Sequence, residues 1–187
     1  MKALIAYGTR YGATAGTAEE IAKILRTEGF DIKTANLKEE KIKDITPYDL
    51  IIVGSGMKMG KWVNEPQEFL KQFQKELNNK KLAIFVSSMQ TFAEKLGKTQ
   101  EEGGVCTASE ATDKIVTEYS LKPITIGIFG GVINYNKMGF FERKIMGFLK
   151  PQLEKDGFKE TEPGCYELRD WDEIRNWAKE LAEASLR

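Results

Sequence analysis

A loop rich in glycine and hydroxyl side chains stands near the start of the chain, directly after a short apolar run. Residues 8–17 of this loop read Gly-Thr-Arg-Tyr-Gly-Ala-Thr-Ala-Gly-Thr. Such a loop at the start of a helix offers backbone N–H groups, hydroxyl donors and the positive end of the helix dipole to one phosphate. It lacks the lysine of a triphosphate-binding P-loop and the G-x-G-x-x-G pattern of a dinucleotide loop. The spacing therefore favours a monophosphate site, and ordinary capping of a helix start is the alternative.

The composition excludes several kinds of catalytic site. The 187 residues include no histidine, which removes imidazole proton transfer, Ser/His/Asp and Cys/His nucleophiles, and metal sites built on His ligands. Cys106 and Cys165 lie far apart in the sequence, so we expect neither a metal site nor a disulfide framework. The 28 basic and 28 acidic residues balance, which argues against nucleic acid as a partner.

Length and hydropathy predict a single soluble domain that spans residues 1–187. Folding at this length buries about 70% of the surface that the unfolded chain exposes, which provides one sizeable core. The apolar run at the N-terminus is too short for a signal peptide, and no stretch approaches the roughly 20 apolar residues of a spanning helix. Together with two free thiols, these features predict a cytoplasmic protein and leave its oligomeric state open.

The elements that must position the loop follow from the hydropathy pattern. Continuous apolar runs predict buried parallel strands, a more polar run predicts an edge strand, and a 3.6-residue period predicts helices. The predicted strands are residues 3–7, 31–37, 50–53, 82–86 and 124–129. The predicted helices are residues 18–28, 66–77, about 109–119, and 171–186 with Asp170 as N-cap. A helix between the second and third strands is left open.

This alternation of strands and helices predicts an α/β fold with a doubly wound, five-stranded parallel sheet. Parallel strands need crossover helices, and right-handed crossovers place those helices on both faces of the sheet. Five strands suggest the order 2-1-3-4-5. Ligands of such sheets bind outside the carboxyl ends of the strands, here near the loops that follow strands one and three.

Two stretches of the chain resemble the flavodoxin family, whose members bind FMN. Residues 7–14 resemble the family's [ST]-x-[TS]-G-x-T phosphate loop, although Tyr11 stands where a small hydroxyl residue is common. Residues 49–62 are similar to the family's third strand and to the loop that walls the isoalloxazine ring. The resemblance implies a flavodoxin-like oxidoreductase whose FMN phosphate is bound by Thr9, Arg10, Tyr11, Gly12, Ala13 and Thr14.

The resemblance also implies which residues surround the flavin ring. The loop after strand three contributes Ser55, Gly56, Met57, Lys58, Met59, Gly60 and Trp62, and its glycines permit close approach of the backbone. A peptide near Gly56 is implied to rotate and accept a hydrogen bond from the reduced ring. Two alternatives stay open, namely that the methionines fill gaps in the core and that Trp62 anchors the following helix.

The third wall of the ring site is expected from the loop after the fourth strand. Its small hydroxyl residues suit the pyrimidine edge of a flavin, and Phe92 is expected to lie nearby. This loop matches no specific pattern, and its place follows from the topology alone. Its candidate residues are Ser87, Ser88, Met89 and Gln90.

Within the flavodoxin family, the chain is similar to the menaquinone-dependent protoporphyrinogen oxidases. The similar stretches are residues 9–14, 54–60, 67–69, 130–135 and 140–146. This resemblance implies oxidation of protoporphyrinogen IX with a quinone acceptor in heme biosynthesis, with the flavin and no side chain carrying the electrons. The alternatives are an electron-carrier flavodoxin that docks on redox proteins and a flavin-free binding domain on the same fold.

The segment from Lys137 to Lys150 combines four basic residues and one acid with interleaved apolar side chains. As a helix it would be basic and amphipathic, a type that lies on anionic membrane surfaces, where it would meet a quinone or a porphyrin. A helix that packs on the sheet is the alternative. Arg10 and Arg143 are candidates to pair with substrate carboxylates. The alternatives are that Arg10 contacts the flavin phosphate and that Arg143 is a solvated surface charge.

Overall fold

A five-stranded parallel sheet forms the centre of the computed structural model. The model describes residues 1–89, 106–140, 143–144, 147 and 150–187, without the side chain of Gln152. The strands are β1 (Lys2–Gly8), β2 (Asp31–Asn36), β3 (Leu50–Lys58), β4 (Lys61–Trp62), β5 (Lys81–Ser88) and β6 (Thr125–Gly130). The parallel strands pair in the order β2-β1-β3-β5-β6, and the short β4 pairs with β3 in the antiparallel sense. When the five parallel strands alone are numbered along the chain, this is the predicted order 2-1-3-4-5, which is therefore confirmed.

Helices cover both faces of this sheet, as predicted. They are α1 (Ala13–Thr27), α2 (Asn64–Gln72), α3 (Gln74–Leu77), α4 (Ala108–Glu118), α5 (Lys150–Lys155) and α6 (Trp171–Leu186). The helix α6 has the predicted bounds, and Asp170 caps it by accepting hydrogen bonds from the backbone N–H groups of Asp172 and Glu173. The predicted helix 66–77 is instead divided at Phe73, and residues 37–49 contain turns but no helix.

The sheet carries apolar side chains to two separate cores. One core includes Leu4 and Ile51 and packs against α2, α3 and α4, whereas the other includes Ile5 and Ile52 and packs against α1 and α6. Successive residues of a strand point to opposite faces, so a strand buried on both sides needs apolar residues at every position. This requirement explains the continuous apolar runs of β1, β3 and β5.

A second, smaller sheet follows β6 and was not predicted. It consists of β7 (Val132–Asn134), β8 (Glu160–Glu162) and β9 (Cys165–Glu167), paired in the order β7-β9-β8. Its own core includes Ile133, Leu153 and the fully buried Tyr166. Burial, followed by the hydrogen bond that Tyr166 donates to Glu154, raises the pKa of Tyr166 to about 12. This phenol is therefore neutral at physiological pH.

The basic segment 137–150 is described only in part, because residues 141, 142, 145, 146, 148 and 149 lie outside the described residues. Arg143 donates a hydrogen bond from Nε to the carbonyl oxygen of Tyr135 at 2.9 Å. Lys150 pairs with Glu160 at 2.8 Å, whereas Phe140 exposes 77% of its surface. Contact of this segment with a membrane stays a prediction. Within the described ranges, no helix is both long and apolar enough to cross a membrane.

The joint between the two sheets, where Gly130 at the end of β6 contacts Leu168 just beyond β9, is packed so closely that substitution can test it. A Cβ added to Gly130 would overlap the backbone carbonyl of Leu168, whereas a Cβ on Gly139 would meet nothing within 4 Å. We expect Gly130→Ala to lower the free energy of unfolding by about 1–3 kcal/mol, because the backbone must move apart. Urea denaturation measures this change, with Gly139→Ala as the control. Equal stability of the two variants would contradict the described joint.

Candidate functional site

The phosphate-loop candidate lies between the carboxyl end of β1 and the start of α1. Gly12 has a φ of 99°, a left-handed conformation that favours glycine, and its N–H donates to Thr9 Oγ1 at 3.0 Å. No side chain caps α1 among the described residues, so the first N–H groups of the helix are left for another acceptor. An anion at this position would complete the start of the helix.

Thr14 and Gly56 bring the phosphate loop against the end of β3. Thr14 is buried, and a Cβ added to Gly56 would lie 3.1 Å from its Oγ1 and 3.9 Å from the backbone nitrogen of Arg10. The parallel register explains this proximity, because Gly8 of β1 stands opposite Ser55 of β3. The absence of a side chain at Gly56 therefore keeps the cradle open.

The peptide carbonyl of Gly56 is already engaged. It accepts a hydrogen bond from the backbone N–H of Val63 at 3.1 Å and another from Ser55 Oγ at 2.9 Å. Rotation of this peptide toward a ligand would break both bonds. The rotating peptide that the resemblance implies near Gly56 stays a prediction.

The strands β3 and β4 form a hairpin whose two-residue turn is Met59–Gly60. Both turn residues have positive φ, 49° at Met59 and 73° at Gly60, which is the geometry of a type I′ turn. Met59 is 85% exposed and stands at the tip of the hairpin. Across the hairpin, Met57 pairs with Trp62 and Lys58 pairs with Lys61.

Trp62 is buried in the core beneath α2, with 2% of its surface exposed. Its indole Nε1 donates a hydrogen bond to Thr112 Oγ1 of α4 at 3.3 Å. Met57 packs against the same core, half-buried. These contacts agree with the anchoring and core-filling alternatives, and a wall for a flavin ring built from Met57, Met59 and Trp62 stays a prediction.

The loop after β5 lies next to the start of α1. Ser87 and Ser88 are buried and Met89 is half-buried, while Gln90 and Phe92 lie outside the described residues. Ser87 Oγ donates to Thr17 Oγ1 of α1 at 3.5 Å. The topology thus brings this loop to the same sheet edge as the phosphate loop, and its contact with a ring stays a prediction.

Two basic side chains that the sequence analysis missed support the phosphate loop from outside. Arg169, just beyond β9, donates from Nη1 to the carbonyl oxygen of Ala13 at 3.0 Å. Its Nε donates to Glu167 at 2.8 Å, and its guanidinium lies 4.2 Å from the ring centre of Trp171. Lys137 donates from Nζ to the carbonyl oxygen of Tyr11 at 3.3 Å. No local motif marks either residue, because both are more than a hundred positions from the loop.

A cavity of about 710 Å³ opens beside the phosphate loop, toward the end of β2. Its lining residues are Thr9, Arg10, Lys38, Lys58, Met59, Lys61, Trp62, Val63, Asn64, Glu65 and Gln67. Burial, followed by repulsion from Glu19 and Glu39, raises the pKa of nearby Tyr7, so its phenol is neutral at physiological pH. The charge at this edge therefore comes from lysine, arginine and glutamate side chains.

The contact between Arg169 and α1 predicts that the effect of Gly16→Ala on the free energy of unfolding changes sign when Arg169 is replaced. A Cβ added to Gly16 would overlap Nη1 of Arg169, which Glu167 and Trp171 hold in place. Gly16→Ala alone should therefore lower the free energy of unfolding by about 1 kcal/mol. In an Arg169→Met background, the same change should raise it by up to about 1 kcal/mol, because alanine favours helix more than glycine.

Urea denaturation of the four proteins measures this coupling. Gly29→Ala serves as a control for glycine replacement away from Arg169, although its φ of 84° makes that change unfavourable in both backgrounds. Equal effects of Gly16→Ala with and without Arg169 would show that the guanidinium does not hold the start of α1.

Comparison with known proteins identifies the family. Residues 4–160 match the model of the Flavodoxin domain family. The chain is 26% identical over 184 residues to the protoporphyrinogen IX dehydrogenase [quinone] of Escherichia coli K12, covering 97% of this chain and 95% of that protein. It is 26% identical over 188 residues to the protein of the same name in Leishmania major, covering 99% of this chain and 76% of that protein.

A solved structure agrees with this assignment at the level of the fold. The flavodoxin of Fusobacterium nucleatum bound to flavin mononucleotide superposes with a TM-score of 0.54 at 17% identity, covering 97% of each chain. The sheet order, the helices on both faces and the family match over most of the sequence confirm the predicted flavodoxin-like fold. The chain belongs to the Flavodoxin domain family.

Proposed function

We propose that this chain is an FMN-binding oxidoreductase that oxidises protoporphyrinogen IX and transfers the electrons to a quinone. The observation that carries the proposal is the open cradle at the start of α1, where Gly12, Thr14 and Gly56 leave room for one phosphate. The similarity to the Escherichia coli enzyme along nearly the whole chain supports the choice of substrate and acceptor.

The residues at the cradle fit a flavin monophosphate better than a larger phosphate chain. Thr14 Oγ1, the uncapped N–H groups of α1 and the exposed Arg10 supply donors for one phosphate at one point. The residues proposed to hold this phosphate are Thr9, Arg10, Tyr11, Gly12, Ala13 and Thr14. The flavodoxin of Fusobacterium nucleatum, which shares the fold, was solved with FMN bound.

The described loops around β3 and β5 are proposed to surround the flavin ring. FMN supplies the redox chemistry when bound, so the protein's part is to bind, orient and exclude water. Each round removes two hydrogens from the porphyrinogen and reduces one quinone to a quinol. The residues proposed for the ring site are Ser55, Gly56, Met57, Lys58, Met59, Gly60, Trp62, Ser87, Ser88, Met89 and Gln90.

An electron carrier that docks on redox proteins is the second candidate function. Its support is membership of the flavodoxin family and the fold shared with flavodoxins. Flavodoxins that act as carriers are usually strongly acidic, whereas this chain has 28 basic and 28 acidic residues. A flavin-free binding domain is the third candidate, and FMN fluorescence quenching distinguishes it from the other two.

FMN binding should depend on the Thr14 hydroxyl. We expect the purified chain to quench the fluorescence of one equivalent of FMN. Thr14→Ala should weaken this binding about tenfold, because a hydrogen bond to a charged phosphate is lost. Thr117→Ala, an exposed change on α4, is the control. A chain that leaves FMN fluorescence unchanged would favour the flavin-free domain.

Turnover should separate the enzyme from the carrier. We expect saturable oxidation of protoporphyrinogen IX by the FMN-loaded chain with a menaquinone analogue, followed by the rise in porphyrin fluorescence. Thr14→Ala should lower this rate at limiting FMN and recover part of it at excess FMN, because the variant binds the cofactor weakly. A chain that binds FMN but shows no saturable turnover would be assigned to the carriers.

A further inference from the structure

The cavity beside the phosphate loop is lined by three separate segments of the chain. Thr9 and Arg10 come from the phosphate loop, Lys38 follows β2, and the rest belong to the β3–β4 hairpin and the start of α2. None of Ser87, Ser88 and Met89, the described end of the β5 loop, lines it. The cavity therefore adjoins the phosphate cradle on the side of β2, and it shares Lys58, Met59 and Trp62 with the ring site proposed above.

The charges around this cavity are unbalanced. Arg10, Lys38, Lys58 and Lys61 line it, against Glu65 as the one acidic residue of the lining. Over the whole chain, basic and acidic residues are equal in number. Among the other described lysines, Lys2, Lys33 and Lys150 form ion pairs, as in the Lys150–Glu160 contact at 2.8 Å. Within the described part of the chain, Lys38, Lys58 and Lys61 form no ion pair. We call this space the lysine cavity.

The hairpin that builds the lysine cavity holds two unfavourable features. Lys58 and Lys61 stand directly opposite each other across the antiparallel pair, where Cβ atoms are about 5 Å apart and like charges are destabilising. Met59 in the turn adopts a left-handed conformation that is uncommon for a residue other than glycine. An anion bound between the ammonium groups would offset the repulsion. Such costs concentrate at functional sites.

We propose that the lysine cavity is a second anion-binding subsite, which binds carboxylate groups of the organic substrate while the phosphate of FMN occupies the neighbouring cradle. This inference rests on the proposed function, because that substrate is a tetrapyrrole with carboxylate side chains. Lysine ammonium groups act as mobile point charges, which suits carboxylates that approach in more than one orientation.

The shape of the lysine cavity favours a small molecule over an acidic protein surface. Its volume of about 710 Å³ falls within the usual range of small-molecule pockets, about 300–1,000 Å³. Met59 and Val63 add apolar side chains to a lining that is otherwise polar, whereas the Trp62 ring is buried in the core behind it. A molecule that combines an apolar ring with carboxylates matches both parts of this lining.

The test compares two charge-matched double variants. Lys38→Gln/Lys61→Gln removes two ammonium groups from the lysine cavity, and Lys23→Gln/Lys179→Gln removes two exposed ones from α1 and α6. Equilibrium dialysis of the FMN-treated proteins measures binding of protoporphyrin IX and of its dimethyl ester. We expect Lys38→Gln/Lys61→Gln, the cavity variant, to bind protoporphyrin IX, the diacid, about tenfold more weakly than the wild-type chain does. Its affinity for the dimethyl ester should not change, and Lys23→Gln/Lys179→Gln, the control variant, should bind both compounds as the wild-type chain does.

The same samples distinguish failure of this inference from failure of the proposed function. FMN quenching, measured first, tests the cofactor site without the porphyrin. If FMN does not bind, the proposed function fails. The titration with the diacid still measures the affinity of the lysine cavity for carboxylates. Equal affinity of all three proteins for the diacid, or an equal loss for diacid and ester, would overturn the subsite. Displacement of the diacid by polyglutamate at lower concentration would overturn it in favour of an acidic protein partner.

Thermal unfolding tests whether the Lys38→Gln/Lys61→Gln variant remains folded. Removing Lys61 takes away the like-charge contact with Lys58, so the thermal midpoint should equal or exceed that of the wild-type chain. A lower midpoint would contradict the repulsion between Lys58 and Lys61 on which the proposed subsite depends. A higher midpoint combined with weaker binding of the diacid would support a hairpin built for an anion.

Discussion

The parallel register of β1, β3 and β5 is the constraint on which the candidate site depends. Gly8 stands opposite Ser55, and Gly56 stands opposite Ser87, so the loops that follow these strands leave the sheet side by side. These strands are buried on both faces, and a shift of one residue would exchange the side chains of the two cores. The hydrophobic cores therefore fix the register, and the register fixes the spacing of the loops.

Long-range contacts then hold the phosphate loop in a form that local forces alone would not select. Gly8 lies so close to Pro66 and Val63 that a Cβ would overlap both side chains, which joins the end of β1 to the start of α2. On the other side, Arg169 binds the carbonyl of Ala13 from just beyond the small sheet. The loop is thus supported from two directions while the N–H groups at the start of α1 stay available.

The sequence predicted those features whose signals are local. Strand order follows from apolar runs and helical crossovers, and the bounds of α6 follow from the Asp170 cap and a helical period. The small sheet was missed because strands of three residues carry no periodicity. Arg169 was missed because only the fold brings it to Ala13. The paired bonds to the Gly56 carbonyl depend on Val63 folding back across the hairpin, which residue types alone do not indicate.

The lysine cavity shows why a neutral composition is a poor guide to local electrostatics. Equal numbers of acids and bases remove the long-range field, but screening at physiological salt already limits exposed charges to about 8 Å. The electrostatic potential at a ligand bound to this edge is therefore set by the few charges within that distance. Those charges come from the phosphate loop, the end of β2 and the hairpin, which are separated in the sequence and meet only at the carboxyl ends of the strands. The same topology that creates the phosphate cradle therefore also concentrates positive charge beside it.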